Sequence, residues 1–505
     1  MESITNIYLF VLLFIFPFIY RNQYRDIMTV KTYFYWWITG IYVVLMCLFF
    51  LVSGRVARWI REKGWRDWSL LDVGMLLFLG MSILSWLFSS KHIGMFLGTY
   101  GRSMGLFSII LCVAAFFSIS YNANLPGYYW KVLCVVLGIV SLLAVANHLG
   151  YDPLGMYAGV TGEKIYISTI GNLNVFAAYL GVILPIIMVK YLLADKRWFH
   201  GIFLVVGFMG MVASNCDSIY LVIAVAFFVL LWWCKGKTEG ARLVEEILMW
   251  FFSGLLMLGI RFLCGSNHCE RLQGILKVAL TPRFLLTGFL IFAGIYIILH
   301  WGVNKNIWHR IRRIGLGVLV FSVILLVALM LYVNLCMDVA EAKQSLGYLW
   351  KYLYLGEQWG SRRMKVWEAA VQVFQRMSWK ERLFGFGPAG FYYAAHTYLS
   401  ESELAVFTWG KLLDAHNGYL QYLISIGIFG MISIYGSLVY AMTAFFKASK
   451  RENNYVVYAM AVAAFLVQAI ANNPHIFIDP LLIAIVAMGY GKKRREKENE
   501  KRSND

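Results

Sequence analysis

Apolar residues run along this chain in long, nearly charge-free stretches, not in the one-faced or alternating patterns of a soluble fold. A helix needs about 20 such residues to cross a bilayer. The runs predict spans at 6–20, 34–53, 70–89, 104–120, 129–148, 173–193, 199–213, 218–234, 246–264, 284–301, 314–336, 418–446, 455–472 and 476–490. The signals at 199–213 and 246–264 are the weakest. The expected organisation is a first set of spans in 1–336, one long polar connection over 337–417, a second set in 418–490, and a charged tail at 491–505.

That connection is the exception in the pattern. Loops beyond about 12–15 residues are uncommon and usually functional. Within this one Met364, Trp367, Val371 and Phe374 recur at helical spacing, which predicts an amphipathic helix lying along the membrane surface, with Ser361 as its N-cap. The stretch "GFGPAGF" that follows supplies turn chemistry.

Composition supports a membrane protein. Hydrophobic residues make up 60% of the chain and charged residues 14%, against about 25% charged in soluble domains. Mean hydropathy is +0.66. The net charge of +18 does not point to nucleic acid. Much of it lies in short segments such as "GRVARWIREKGWRDW", "ADKRWFH", "CKGKTEGAR", "KNIWHRIRR" and "KASKREN". With fourteen spans these fall on one side, the cytoplasmic side by charge bias, although "RNQYRDIMTVK" and "CERLQGILKVALTPR" are basic on the other. The first apolar run has no basic leader or small-residue cleavage site and reads as a retained helix. The eight cysteines are mostly inside spans. Cys264 and Cys269 flank a short loop and either pair or stay as free thiols; their spacing matches no common metal pattern.

The polar residues at span ends carry the candidate chemistry. Arg362, Arg363 and Lys365 crowd the first turn of the predicted loop helix. Cations there oppose the helix dipole by roughly 0.3–1 kcal/mol each. A bound anion reverses that sign, because free N–H groups, dipole and guanidinium forks then all favour it. Contact with anionic lipid headgroups is the other reading. Arg102, the pair Asn172 and Asn174, the pair His416 and Asn417, and Asn472, Asn473, His475 and Asp479 all fall on the same face as the long loop. If one weak span is not a span, Arg102 and Asn172 move to the opposite face. His416 is the candidate for proton chemistry, since imidazole changes charge near neutral pH, with Asp414 two residues before it to orient the ring. A plain interfacial histidine at a helix start is the alternative.

"HNGYLQYLISIGIFG" is His-Asn, nine residues, then Gly-x-x-Gly at Gly427 and Gly430. It resembles the signature of the O-antigen ligase and polymerase superfamily. "GRSMGL", "GNLNVFAAYL", "SRRMKVWEAA" and "LFGFGPAGF" resemble further elements of that family in the same order, from about residue 94 to 430. The resemblance implies an all-α polytopic membrane protein of about 12–14 transmembrane helices, similar to GT-C-type glycosyltransferases. It implies a donor glycan on undecaprenyl diphosphate and an acceptor hydroxyl on another glycan, a lipid or a protein. Carried over by motif, Arg102 and Arg363 hold the diphosphate and His416 activates or positions the acceptor. Asn417, Asp414, Asn172, Asn174 and Arg362 are expected in support. No cofactor, metal or nucleic acid is implied. The expected location is the bacterial cytoplasmic membrane with the site on its outer face.

Arginine forks stabilise a departing diphosphate without a metal. No Asp-x-Asp occurs; Glu401 and Glu403 are the only paired acids in the long loop that suit a metal. Loop aromatics Trp359, Trp367, Tyr392, Tyr393, Tyr398 and Trp409 are candidates for sugar stacking or interfacial packing. A transporter or flippase for lipid-linked oligosaccharide is the alternative function, and a non-catalytic assembly factor a third. A transporter should show symmetric halves and broken helices at the midplane, whereas the polar residues here gather at one face.

Overall fold

A computed structural model describes residues 1–53, 68–89, 92–98, 104–160, 165–265, 268–301, 306–357, 359–360, 362–407 and 410–504, with side chains to 500. Among these residues an apolar helix stands at each predicted span. Eight are long and apolar enough to cross a membrane: Ile27–Val52, Leu70–Leu87, Tyr129–His148, Leu173–Leu193, Lys237–Cys264, Pro282–Trp301, Ile307–Cys336 and Gly418–Ala448. Shorter apolar helices occupy Glu2–Phe18, Leu106–Asn122, Trp198–Ala213, Asp217–Trp233 and Tyr455–Gln468. The protein is therefore an all-α polytopic membrane protein, and a two-residue hairpin pairing Tyr166 with Asn172 is the sheet found among the described residues.

The Leu173–Leu193 helix is buried along nearly its whole length and forms the centre of the bundle. Ile307–Cys336 is its opposite: only Trp308 and Val333 are buried. Its run of exposed Leu, Val and Phe side chains suits lipid on every side. The first helix passes through a π segment, Val11–Ile15, into a 3-10 turn, Phe16–Phe18, at Pro17. Buried Lys31 donates to the carbonyls of Phe16 and Pro17 at 3.1 and 3.0 Å, satisfying acceptors that the helix end leaves open. Cys264 and Cys269 are free thiols. The last helix, Asp479–Asn504, runs on into the charged tail. Its first turns beyond the span are docked, not solvated: Arg494 pairs with buried Asp72 at 2.6 Å and Lys492 pairs with Glu452.

The 337–417 connection is a packed unit. It holds the helices Val339–Leu346, Trp350–Leu353, Arg363–Arg376, Trp379–Phe384, Phe391–Tyr398 and Glu401–Leu404. The predicted amphipathic helix is present as Arg363–Arg376, but its buried stripe is Val366, Ala369, Ala370 and Val373, and Val371 is exposed. That stripe joins Phe391, Ala394, Ala395 and Ile424 in a small core of its own. The helix therefore packs on protein, with small alanines allowing close approach, where a lipid-surface helix was expected.

This unit is fastened to the Gly418–Ala448 helix by backbone. The helix breaks at Gly427 (φ 72°, ψ 179°), a conformation essentially restricted to glycine. The carbonyls freed there are taken up by the loop: Phe386 N–H donates to Ile424 and Gly387 N–H to Ser425, each at 2.9 Å. Ser85 Oγ adds a second donor to the Ser425 carbonyl at 2.8 Å. A Cβ on Gly427 would lie 2.3 Å from the Leu383 carbonyl oxygen, and one on Gly385 would lie 2.4 Å from the Ser425 oxygen. Two chain segments thus meet at a distance only glycine permits. Gly427→Ala is expected to lower the unfolding temperature and expose the loop to protease, with the backbone conformation alone costing about 1–3 kcal/mol. Gly436→Ala, on the same helix with its nearest contact at 3.9 Å, is expected to behave as wild type in both assays.

Candidate functional site

Two cavities open at the end of the bundle where this loop is fastened. One, of about 550 Å³, is lined by Arg363, Lys277, Lys351, Asp217, Tyr348 and Tyr352 among others. The second, of about 470 Å³, is lined by Arg25, Asp26, Asp414, Gln468, Asn472 and His475 among others. Both volumes lie in the range of small-molecule sites. Ile165, Asn172, Asn174 and His416 line both, so His416 stands at the junction.

Local sequence explains how His416 is held. Asp414 is 6% exposed, and its Oδ1 accepts the His416 backbone N–H at 3.3 Å and lies 3.2 Å from His416 Nδ1. This is an Asx-type turn, which supports a left-handed residue two positions on; His416 has φ 46°. The imidazole is 47% exposed while its carboxylate neighbour is buried. With Nδ1–H directed at Asp414, the basic lone pair of a neutral ring is on Nε2. Asn417, expected in support, has a structural task beside it. Its side chain caps the Gly418–Ala448 helix, accepting from Tyr419 and Leu420 N–H at 2.9 and 3.1 Å. Its own N–H donates to Asn473 Oδ1 at 3.1 Å. It lines neither cavity.

Arg363 is the first residue of its helix, and Arg362, at φ 72°, is the N-cap, with no side-chain hydrogen bond capping the turn. Ser361, the expected cap, lies outside the described residues. Arg363 Nη1 donates to the Gly360 carbonyl at 3.1 Å. Its Nε is buried with no partner among the described residues. Arg362 lines neither cavity, and Lys365 is paired with Glu357 at 2.9 Å. Of the three cations at this helix start, one faces the site.

Asn172 caps the central helix through Asn174 N–H at 2.8 Å, and Asn174 Oδ1 accepts from Cys216 Sγ at 3.2 Å. Both asparagines thus share a cavity with Arg363 and His416, as expected with 199–213 counted as a span. Arg102 lies outside the described residues, as does Trp409.

Several lining residues were missed in the sequence. Asp217 accepts from Ile275 N–H at 2.7 Å and from Tyr352 O–H at 3.2 Å. Burial, then Tyr348 and Asp217, push the Tyr352 phenol well up, so it stays a proton donor to Asp217. Lys277 lies over the Tyr348 ring at 5.1 Å. The available signal was "SNCDS", a polar break between two apolar runs. The five described aromatics proposed for sugar stacking line neither cavity; Tyr348 and Tyr352 do. Trp359 and Trp367 pack on each other at 5.6 Å, and Tyr398 donates to Glu381 at 2.6 Å.

Of the two acids considered for a metal, Glu403 is otherwise engaged. Glu403 accepts from Arg376 at 2.6 and 2.9 Å and from Ser400 N–H and Oγ at 2.7 and 2.9 Å, closing a capping box. The Arg376 guanidinium, with Ser400, holds its carboxyl down at about 2, below the usual 4.5. Stabilisation from this group is present in full above the usual value and is lost as pH falls from there towards the depressed one. The unfolding temperature of the wild type is therefore expected to drop more than that of Glu403→Gln between about pH 5 and about pH 3.

Residues 285–435, less than a third of the chain, match the family model described as O-antigen ligase. The match spans Arg363, His416, Gly427 and the whole 337–417 unit. No curated protein matches the chain.

Proposed function

We propose that this chain, whose residues 285–435 match the O-antigen ligase family model, transfers a glycan from undecaprenyl diphosphate to an acceptor hydroxyl at the outer face of the bacterial cytoplasmic membrane. The observation that carries the reading is that Arg363 and His416, more than fifty residues apart in one loop, line a single cavity. In the reaction the acceptor oxygen attacks the anomeric carbon. The bond from that carbon to the diphosphate oxygen breaks, and the polyprenyl diphosphate leaves with the electron pair. Negative charge grows on the leaving group as this happens. Arg363, with an unused Nε–H and no carboxylate partner among the described residues, supplies donors there, and Lys277 and Lys351 on the same cavity add positive field. Arg102 is the second diphosphate ligand in this proposal.

His416 takes the acceptor proton at Nε2, and buried Asp414 fixes the ring and stabilises the imidazolium that results. Asn172 and Asn174 form the wall between the two cavities. No step needs a metal.

Reconstitution with an undecaprenyl-diphosphate oligosaccharide tests this. His416→Ala is expected to lower transfer by about 10²–10⁴-fold while donor binding persists. Arg363→Lys is expected to impair turnover far more than Arg362→Lys, because lysine keeps the charge and loses the fork. An active His416→Ala enzyme, or equal losses at the two arginines, contradicts the assignment.

A further inference from the structure

Six consecutive backbone N–H groups around His416, from Ala415 to Leu420, each have an acceptor. His416 N–H goes to Asp414 Oδ1, and Tyr419 and Leu420 share Asn417 Oδ1. Two acceptors come from the loop after the Tyr455–Gln468 helix. Asn417 N–H donates to Asn473 Oδ1 at 3.1 Å, and Gly418 N–H donates to the Ala469 carbonyl at 2.7 Å. The remaining donor, Ala415 N–H, goes to the side-chain oxygen of Gln421 at 2.9 Å.

Gln421 is the fourth residue of the Gly418–Ala448 helix and the one amide side chain between Gly418 and Gly430. It is 3% exposed. A buried amide is costly unless it is hydrogen-bonded. Helix capping does not call for this one, because Asn417 already takes the first free N–H groups. Nor does Gln421 line either cavity. Its partner Ala415 is fully buried, so bulk water does not reach the N–H that Gln421 satisfies.

Ala415 stands between Asp414 and His416. Asp414, Ala415, Asn417 and Gly418 are buried, and His416 is the exposed residue among them. The left-handed backbone of His416 persists only where its surroundings over-determine it. The Gln421 bond fixes the peptide unit joining Asp414 to Ala415. It therefore holds the carboxylate residue in place for His416 Nδ1, 3.2 Å away.

We propose that Gln421 is a positioning residue for His416: by holding the Ala415 N–H, it keeps the imidazole paired to Asp414 through Nδ1 and leaves Nε2 facing the cavities. Resting on the proposed function, Gln421 affects turnover, and only through His416.

Three variants separate this from a general packing role. Gln421→Met keeps the length of the side chain and removes the acceptor. Gln421→Asn keeps the amide but falls short of Ala415 by one methylene. Gln421→Glu keeps an acceptor oxygen at the same reach. The first two are expected to lower kcat by roughly 10–100-fold, as a misplacement of about 1 Å does, with KM for the lipid-linked donor unchanged. Gln421→Glu is expected to retain most of the activity. In a His416→Ala background, Gln421→Met is expected to cause no further loss, because residues acting through one group are not additive. A second readout is nitrogen NMR of the histidine-labelled full chain in detergent, with His416 assigned by the signal missing from His416→Ala. The neutral ring is expected as the Nδ1–H tautomer in wild type and shifted towards Nε2–H in Gln421→Met.

Wild-type kcat and tautomer in both Gln421→Met and Gln421→Asn overturn the proposal. So does an equal loss in the His416→Ala background, or a loss in Gln421→Glu that matches Gln421→Met. The tautomer needs no turnover. A shift in a chain that transfers no glycan keeps the positioning role and removes the proposed reaction. Transfer that needs His416 and is indifferent to Gln421 removes the positioning role alone.

Discussion

Two backbone hydrogen bonds hold the candidate site together. Where the Gly418–Ala448 helix breaks at Gly427, the Ile424 and Ser425 carbonyls would be left open within the bundle. Phe386 and Gly387 close them. In a bilayer an unsatisfied backbone group costs several kcal/mol, so the break and the loop require each other. Gly385 and Gly427 are the residues that let the two backbones meet. The fastening sets the 337–417 unit against the membrane helices, and that unit carries Arg363 near its middle and His416 at its end. Neither side chain has a defined position relative to the other without it.

Charge then sorts the space the fastening creates. Among the described residues, His416 lies between a cavity with an excess of cations and one with an excess of acids. A site joining an anionic carrier to a neutral hydroxyl has to separate those two chemistries and bring them together at one atom. Backbone strain gathers at the same place: His416, Arg362 and Asn215 are all left-handed residues other than glycine. Such conformations persist where surrounding structure over-determines them, and here the surrounding structure is the Asp414 turn, the Asn417 cap and the loop core.

The spans were legible because hydrophobic run length is a one-dimensional signal, and even the weak runs at 199–213 and 246–264 became helices. The histidine and glycine motif was legible because its spacing is local. Other features depend on contacts distant in sequence. The loop helix buries Val366, Ala370 and Val373 because it packs on Ala394 and Ile424, whereas spacing along the sequence singled out a neighbouring stripe through Met364 and Val371. Asn417 was expected only in support of His416, and what form that takes, capping the next helix with its side-chain oxygen, shows only in the fold. Asp217, Tyr352, Asp26 and Gln468 carry no motif; only folding brings them to the cavities. Glu403 looked free for a cation until Arg376, far along the chain, was seen to hold it.

The most direct measurement is a cryo-electron-microscopy structure of the full chain with undecaprenyl diphosphate bound. The account predicts the diphosphate in the cavity shared by Arg363 and His416, within hydrogen-bond reach of the Arg363 guanidinium, with the Asp26, Gln468 and Asn472 cavity free of phosphate. Diphosphate held anywhere else, such as the groove beside Arg197 and Lys196 at the other end of the bundle, contradicts it.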